Sequence, residues 1–529
     1  MCPSTHSRGN AASHSSPYLF IGLIAVGVSL QSRSSAAQPD EWSQEEKLIA
    51  NDPVAGIGFG DAVWLGPNVA YVGATANGVA NVSAGAVYVL YWEEADTQWS
   101  HAQKLTADDG ALDDRFGWSV AAAQAVIVGA PDDDDNGNLS GSAYVFRFDG
   151  DQLVQEQKLT ADDGEASDRF GRAVATSGDV AVVGAPEAAG EGGPTGAAYV
   201  FRYDGDSWHM EQKLQVGTFS TIGELGASVA ASGDRVLIGV PHAGPGAQNL
   251  GAAYVFKYDG ESWQQEAVLS ASVEDPQDMF GSSVALEGDV ALVGVPQDEA
   301  GGAFSGAAYV FRYDGETWQE EDKLLADDAA EDDRFGTAVG LSGSVAVVGA
   351  PGANSGGAAY VFEVKFDFPN PTTWELAQKI APEDPGIGDN FGQSVSAFTG
   401  IAVTRQRVLV GASNNDDGGE SAGSAYTFNR GGTGTATEEI PSTFATSLHA
   451  YPNPFGRHTT LAYELAHPGW VRLAVYDALG RRVVQLPAQY QPAGAQKVDL
   501  NSESLGAGVY VARLESQGTT ASIRIVRVE

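Results

Sequence analysis

Residues 168–214, DRFGRAVATSGDVAVVGAPEAAGEGGPTGAAYVFRYDGDSWHMEQKL, set the plan of most of the chain. The stretch opens on Phe170-Gly171, passes through Ala173-Val174-Ala175 to a Ser177-Gly178-Asp179 turn, and continues as the apolar run 180–186. A polar loop follows, then Gly196-Ala197-Ala198-Tyr199-Val200-Phe201, an Asp204-Gly205 turn, and a last segment from Trp208 to Lys213-Leu214. The Phe-Gly pair recurs at Phe59, Phe116, Phe170, Phe280, Phe335 and Phe391, with Leu225-Gly226 in the fourth copy, at steps of 54 to 57 residues. Seven copies at so even a period indicate a repeat architecture.

Each copy carries four runs of strand length, rich in Val, Ala, Tyr and Phe and separated by Gly, Asp and Pro, which predicts one four-stranded antiparallel sheet per repeat. Asp149-Gly150, Asp204-Gly205, Asp259-Gly260 and Asp314-Gly315 fall between the third and fourth runs, where a two-residue hairpin turn needs residues that tolerate positive φ. One such sheet cannot bury both faces, whereas seven stacked around an axis can. The expected fold is therefore all-β, a seven-bladed β-propeller over residues 38–430. The last copy stops after Tyr426-Thr427-Phe428 without a Trp…Lys-Leu run, and the chain ahead of Phe59 holds a spare one, Trp42…Lys47-Leu48. That spare strand is expected to complete the last blade and close the ring.

The Phe-Gly pairs, with the Gly-Ala-Pro type triplets at Gly129, Gly184, Gly239, Gly294 and Gly349 and their variants at Gly73 and Gly411, resemble the FG-GAP family. This is the blade type of integrin α-subunit propellers and of many bacterial surface proteins. The resemblance implies the fold and says little about activity. Integrin-type propellers hold calcium in Asp-rich hairpins between the first and second strands. Here that turn is only Ser177-Gly178-Asp179 and its equivalents, so that site does not carry over.

The first 37 residues read as an export signal: Arg8, the apolar run 18–30, and small residues Ser35-Ala36-Ala37 before Gln38. The run is short for a membrane span, so no transmembrane segment is expected after cleavage. Cys2, the only cysteine, would leave with the signal, which removes disulfides and thiol chemistry from the mature chain. The formal net charge is −40, and since residues 447–529 balance at +2, the acidity belongs to the repeats. Such a surface repels nucleic acid and anionic lipid. In a four-stranded meander the loops joining strand two to three and one blade to the next share a face. These are the long acidic loops, including Asp132 to Asp135, Asp162-Asp163…Asp168 and Asp327-Asp328…Asp333. The recurring aspartates are expected to accept backbone N–H groups and to pair with the neighbouring Arg115, Arg169 or Arg334.

Aligning the copies shows where the symmetry breaks. The small residues Ala62, Ser119, Ala173, Ser228, Ser283, Ala338 and Ser394 suit inner strands that converge on an axis. The residue before each one differs in every copy: Asp61, Trp118, Arg172, Ala227, Ser282, Thr337 and Gln393. An axial ligand site would be individualised by these, with Trp118, Arg172 and Gln393 as its candidates. Asp132, Asp134 and Asn136, ahead of Gly137, match the first half of a calcium loop, while Ala143 stands where the closing acid belongs. Calcium is the one cofactor this suggests. The repeated tryptophans at Trp42, Trp99, Trp208, Trp263, Trp318 and Trp374 read as packing on the outer strands. His101, His209 and His242 fall on different blades, and the carboxylate pairs recur with the repeat, so no catalytic constellation is evident.

Residues 431–447 read as a flexible linker, and 448–529 as a small immunoglobulin-like β-sandwich. Tyr451-Pro452-Asn453-Pro454-Phe455, Val475-Tyr476-Asp477-Ala478-Leu479-Gly480-Arg481, Leu505-Gly506-Ala507-Gly508-Val509-Tyr510 and the closing strand 524–528 resemble the C-terminal sorting domain of bacterial type IX secretion. The resemblance implies that the type IX machinery is a partner and that the chain is secreted or displayed on the outer cell surface. The expected function is binding or adhesion to an extracellular protein or glycan, without enzymatic activity. The alternatives are a structural cell-envelope component with no discrete ligand, or a polysaccharide-active propeller enzyme.

Overall fold

A computed structural model describes residues 41–527, except 76–83, 94–96, 151, 191–192, 218–222, 245–248, 273–276, 366–372, 400–405, 431–447, 452–454, 456–457, 466–468, 478–480, 492–493, 502–504, 507 and 517–518. The expected signal peptide (1–37), the expected linker (431–447) and parts of the C-terminal motifs quoted above thus lie outside the described residues. The described chain is all-β apart from one 3-10 turn, Ala353–Ser355. No described helix is long and apolar enough to cross a membrane.

Residues 42–430 form seven four-stranded antiparallel sheets, as expected of propeller blades. The third is representative, with Ala173–Ser177, Val180–Ala185, Ala197–Tyr203 and Trp208–Leu214 in that spatial order. Its second and third strands are buried throughout, except Arg202 and Tyr203 at the third strand's end. This is the pattern of strands covered on both faces. The first-to-second hairpin has two loop residues, and Gly178 supplies φ 62° there. The third-to-fourth turn is longer than the expected two residues in this sheet. It spans 204–207, with the Asp204 carboxylate accepting the N–H groups of Asp206 at 2.9 Å and Ser207 at 3.0 Å. Only in the second sheet do the strands Ser142–Asp149 and Gln152–Leu159 leave two loop residues.

The innermost strand of each sheet lies against that of the next, and Val63–Leu65 of the first sheet against Ser394–Thr399 of the seventh. A parallel bridge stitches every junction, from Gly85 to Phe116, Gly141 to Phe170 and on round to Gly423 and Phe59. Each Phe, or Leu225, is fully buried at its seam. The glycine of each Gly-x-Pro triplet is required by the same approach: a Cβ on Gly184 would stand 2.0 Å from the carbonyl oxygen of Gly226 in the next sheet. The seventh sheet is Ser394–Thr399, Gln406–Ala412, Ser424–Arg430 and Trp42–Leu48, the last pairing antiparallel from Trp42 opposite Arg430 to Leu48 opposite Ala425.

The C-terminal region has a three-stranded sheet (His449–Tyr451, His458–Leu465, Gly494–Asn501) and a four-stranded one (Arg482–Gln491, Gly469–Asp477, Gly508–Ser516, Thr519–Arg527). Leu461 and Leu500 of the first and Leu473, Val475, Ala512, Leu514 and Ile525 of the second share one core.

Candidate functional site

The bridges from the strand-two-to-three loop of one sheet to the Phe-Gly pair of the next bring the long loops to one rim of the ring. The residue after each Phe-Gly pair opens the innermost strand at that rim, so Asp61, Trp118, Arg172, Ala227, Ser282, Thr337 and Gln393 stand at equivalent positions around it. The residue before each Phe is left-handed: Arg115 has φ 58°, Arg169 55°, Glu224 60°, Met279 61°, Arg334 55° and Asn390 59°. This kink is costly for a non-glycine residue and turns the side chain away from its sequence neighbours.

The kink decides the ion pairs. Arg115 Nε meets Asp132 at 2.8 Å and Arg169 Nε meets Glu187 at 3.1 Å, both across to the following strand-two-to-three loop. Glu224 meets His242 Nδ1 at 3.0 Å in the fourth sheet, and the hydrogen bond raises the imidazole pKa. The loop aspartates are thus not paired with the adjacent arginines. They accept backbone N–H groups, Asp114 from Ala111 at 2.6 Å, Asp168 from Glu165 at 2.9 Å and Asp333 from Ala330 at 2.8 Å. Several further loop aspartates meet the lysine of strand four. Lys158 Nζ reaches Asp109 at 2.8 Å, Asp133 at 2.9 Å and Asp135 at 2.6 Å, and the Tyr144 hydroxyl donates to Asp133 at 2.8 Å. Lys213 with Asp163, Lys323 with Asp298 and Lys379 with Asp328 repeat the arrangement.

Of the suggested calcium ligands, Asp132 is engaged by Arg115, while Asp134 and Asn136 are exposed. The loop folds around Asp133, whose carboxylate accepts the Asp135 N–H at 3.2 Å and whose carbonyl accepts the Gly141 N–H at 2.8 Å. Among the described residues, no group of three or more His, Cys, Asp or Glu side chains is gathered as a metal site.

The axial candidates fare differently. Trp118 and Arg172 come together across the second and third sheets, the guanidinium carbon 4.5 Å from the ring centroid, and Arg115 lies over the same ring at 5.2 Å. Burial holds the Arg172 pKa below its ordinary value, with Arg169 adding to the effect. On the other side of Trp118, Asp61 of the first sheet is pushed up by burial while Thr75 and Ser413 hydrogen-bond to it. Gln393 is exposed at the same register of the seventh sheet, separated from Trp118 by Asp61. The pairing of a second circle of residues, Arg115/Asp132, Arg169/Glu187, Glu224/His242 and Met279/Gln297, was not foreseen from sequence, although Arg115, Arg169 and Asp132 were named there for other roles. Its signal is there in three copies: Arg115 and Arg169 before Phe go with Asp132 and Glu187 after the Gly-x-Pro triplet, in the fourth copy Glu224 goes with His242, and in the sixth Arg334 meets only Gly352.

Ring, stitching and individual mouth define an all-β, propeller-like repeat protein. The chain belongs to the FG-GAP repeat family, which matches residues 42–90, 99–146, 153–201, 263–311, 318–362 and 374–428. The interval 202–262 between two of these matches holds the first three strands of the fourth sheet, where Leu225 replaces Phe. Residues 449–529 match the secretion system C-terminal sorting domain, so the chain is exported by type IX secretion to the cell surface or the medium. No curated protein matches the chain.

Proposed function

We propose that the chain is an extracellular binding protein, a closed seven-bladed propeller that recognises its partner through the long-looped mouth of the ring. The observation that carries this is the contrast between repeated structure and unrepeated mouth. Phe seams, glycine contacts and lysine–aspartate links recur from sheet to sheet, yet the seven mouth residues are all different and include a tryptophan and a half-buried arginine. The signal at 1–37 and the immunoglobulin-like tail serve delivery in this reading. A binding rather than enzymatic role is supported by the scatter of the repeat-region histidines over different sheets: His101 contacts the Ile49 carbonyl at 2.8 Å on the first, His209 contacts Asp204 at 3.1 Å on the third, and His242 meets Glu224 at 3.0 Å on the fourth.

The test is capture by the full chain from glycan and extracellular-protein arrays, repeated with Trp118→Ala at the mouth and Asp234→Ala on the opposite, short-looped rim. Binding that Trp118→Ala weakens and Asp234→Ala leaves intact is the expected result. Capture that survives Trp118→Ala, or no capture by the wild-type chain, would remove the reading.

A further inference from the structure

Arg172 lacks the counter-ion that nearly every other arginine of the repeats has. Arg147 is held by Glu156 at 3.0 Å, Arg202 by Glu211 at 2.8 Å, Arg235 by Glu266 at 2.7 Å and Arg312 by Glu321 at 2.8 Å. Among the described residues no carboxylate pairs with Arg172, in a chain with 69 acids against 29 lysines and arginines. Arg334 is the other described repeat arginine without a carboxylate, and it is exposed. Arg172 instead lies against Trp118, and a guanidinium over an aromatic face keeps its in-plane N–H donors for a second partner.

We infer that Arg172, set on Trp118 at the mouth of the ring, is a carboxylate-binding site that takes a uronic-acid residue of an acidic saccharide. The inference rests on the recognition role proposed above and names its ligand class. A carboxylate's planar oxygens match the guanidinium edge in a two-bonded fork, with a single negative charge. A dianion such as a phosphate monoester would also meet twice the repulsion from Asp61, Asp132, Glu224 and the acidic surface. Arg115 and Arg169 already have their own acids, so Arg172 is the free cation of the cluster, and an anion there relieves both its burial and its repulsion by Arg169.

The saccharide follows from the far side of the ring. The Ser282 and Thr337 hydroxyls donate to the carbonyls of Met279 and Arg334, each at 2.8 Å, which leaves their oxygens as acceptors. Gln393 adds an exposed amide with both donor and acceptor. Polar donors and acceptors spread round a rim suit the many hydroxyls of a sugar, each of which donates and accepts.

The experiment is calorimetric titration of the full chain with trigalacturonate, with the neutral galactose trimer, and with a short peptide bearing a free C-terminal carboxylate. Trigalacturonate is expected to bind and the neutral trimer to bind at least about tenfold more weakly, the scale of one charge-assisted hydrogen bond. Arg172→Ala should lose a similar factor, Arg172→Lys should fall between, and Arg334→Ala should match wild type. Thermal melts establish that the variants are folded, and Arg172→Lys carries the test if Arg172→Ala does not fold. Equal binding of the neutral trimer, no binding of trigalacturonate, or wild-type affinity in both Arg172 variants would overturn the inference, and preference for the peptide would overturn the saccharide. If a partner is captured through Trp118 but trigalacturonate does not compete, the carboxylate inference falls while the recognition role stands.

Discussion

A single aspartate shows how the acidic loops are balanced. Asp114 is almost fully buried at 4% exposure, with its carboxylate on the Ala111 N–H and the charges of Asp133 and Asp134 nearby. Burial, with those two charges, pushes its pKa up to about 6. For Asp109 burial acts in the same direction, but the hydrogen bonds from Lys158 and Tyr144 outweigh it and the carboxyl ends below its ordinary value. A carboxyl raised in the folded state binds its proton more tightly there than in the unfolded chain. The stability this contributes is complete below the unfolded pKa near 4 and is lost as pH rises through about 6. Asp114→Asn keeps an acceptor for Ala111 and removes the charge. The variant should therefore equal wild type near pH 4 and exceed it in urea midpoint at pH 7, whereas a gap that does not change with pH would refute the assignment. The same loops show what sequence reveals at this scale. That aspartates cap backbone N–H groups was legible, but their expected pairing with Arg115 and Arg169 was not realised. Adjacency in sequence says nothing of a left-handed φ that swings the arginine to the next loop.

At the scale of elements, the outer strands are joined by a link that repeats around the ring. Gln157 of the second sheet accepts from the Trp208 N–H at 2.8 Å and donates to the Trp208 carbonyl at 2.7 Å, bracketing the start of the next sheet's outer strand. Gln103 brackets Leu153, Gln212 brackets Trp263 and Gln378 brackets Trp42 in the same way. Glu46 and Asp322 accept only the N–H, from Trp99 at 2.7 Å and Trp374 at 3.0 Å. At the seam between the fourth and fifth sheets the position is Ala267, opposite Val255 as Gln212 is opposite Val200. Trp318 across that seam is only partly buried, whereas Trp208 and Trp263 are buried. Ala267→Gln is expected to restore the bracket and raise the unfolding free energy by about 1 kcal/mol, the net value of a hydrogen bond or two. Gln157→Ala should lower it by a similar amount. Urea denaturation checks both, and two neutral substitutions would reduce the bracket to a surface contact. The strands were legible because burial on two faces writes a continuous apolar run. The brackets were not, since a glutamine on an outer strand looks like any solvated residue until its partner 51 positions away is placed beside it.

At the scale of the molecule, the bracket from Gln378 to Trp42 and the link from Glu46 to Trp99 make residues 42–48 the joint between the two ends of the repeat array. Arg407 of the seventh sheet lies in that joint with 1% of its side chain exposed. It stacks 3.9 Å from Trp92 and 5.3 Å from Trp99 of the first sheet, and among the described residues its ion pair is with Glu45 of the N-terminal strand, at 2.8 Å. Lys47 adds links to Asp384 and Asp417, which face it from the loops on either side of the seventh sheet's inner strands. Removing residues 42–48 would leave Arg407 buried without its acid, a cost of about 3–5 kcal/mol for one broken buried pair. It would also bare Ser424–Arg430 as an unpaired edge, open to strands of other molecules. A chain beginning at residue 50 should therefore unfold at a much lower urea concentration than the full chain, resist protease less, and associate on size-exclusion chromatography. A peptide of residues 39–49 added in trans should reverse all three changes, since it returns both the strand and Glu45. Glu45→Gln, which keeps the strand and loses the charge, should fall between the two. If the shortened chain is monomeric with an unchanged urea midpoint, the ring does not depend on its N-terminal strand and the closure proposed for it is wrong.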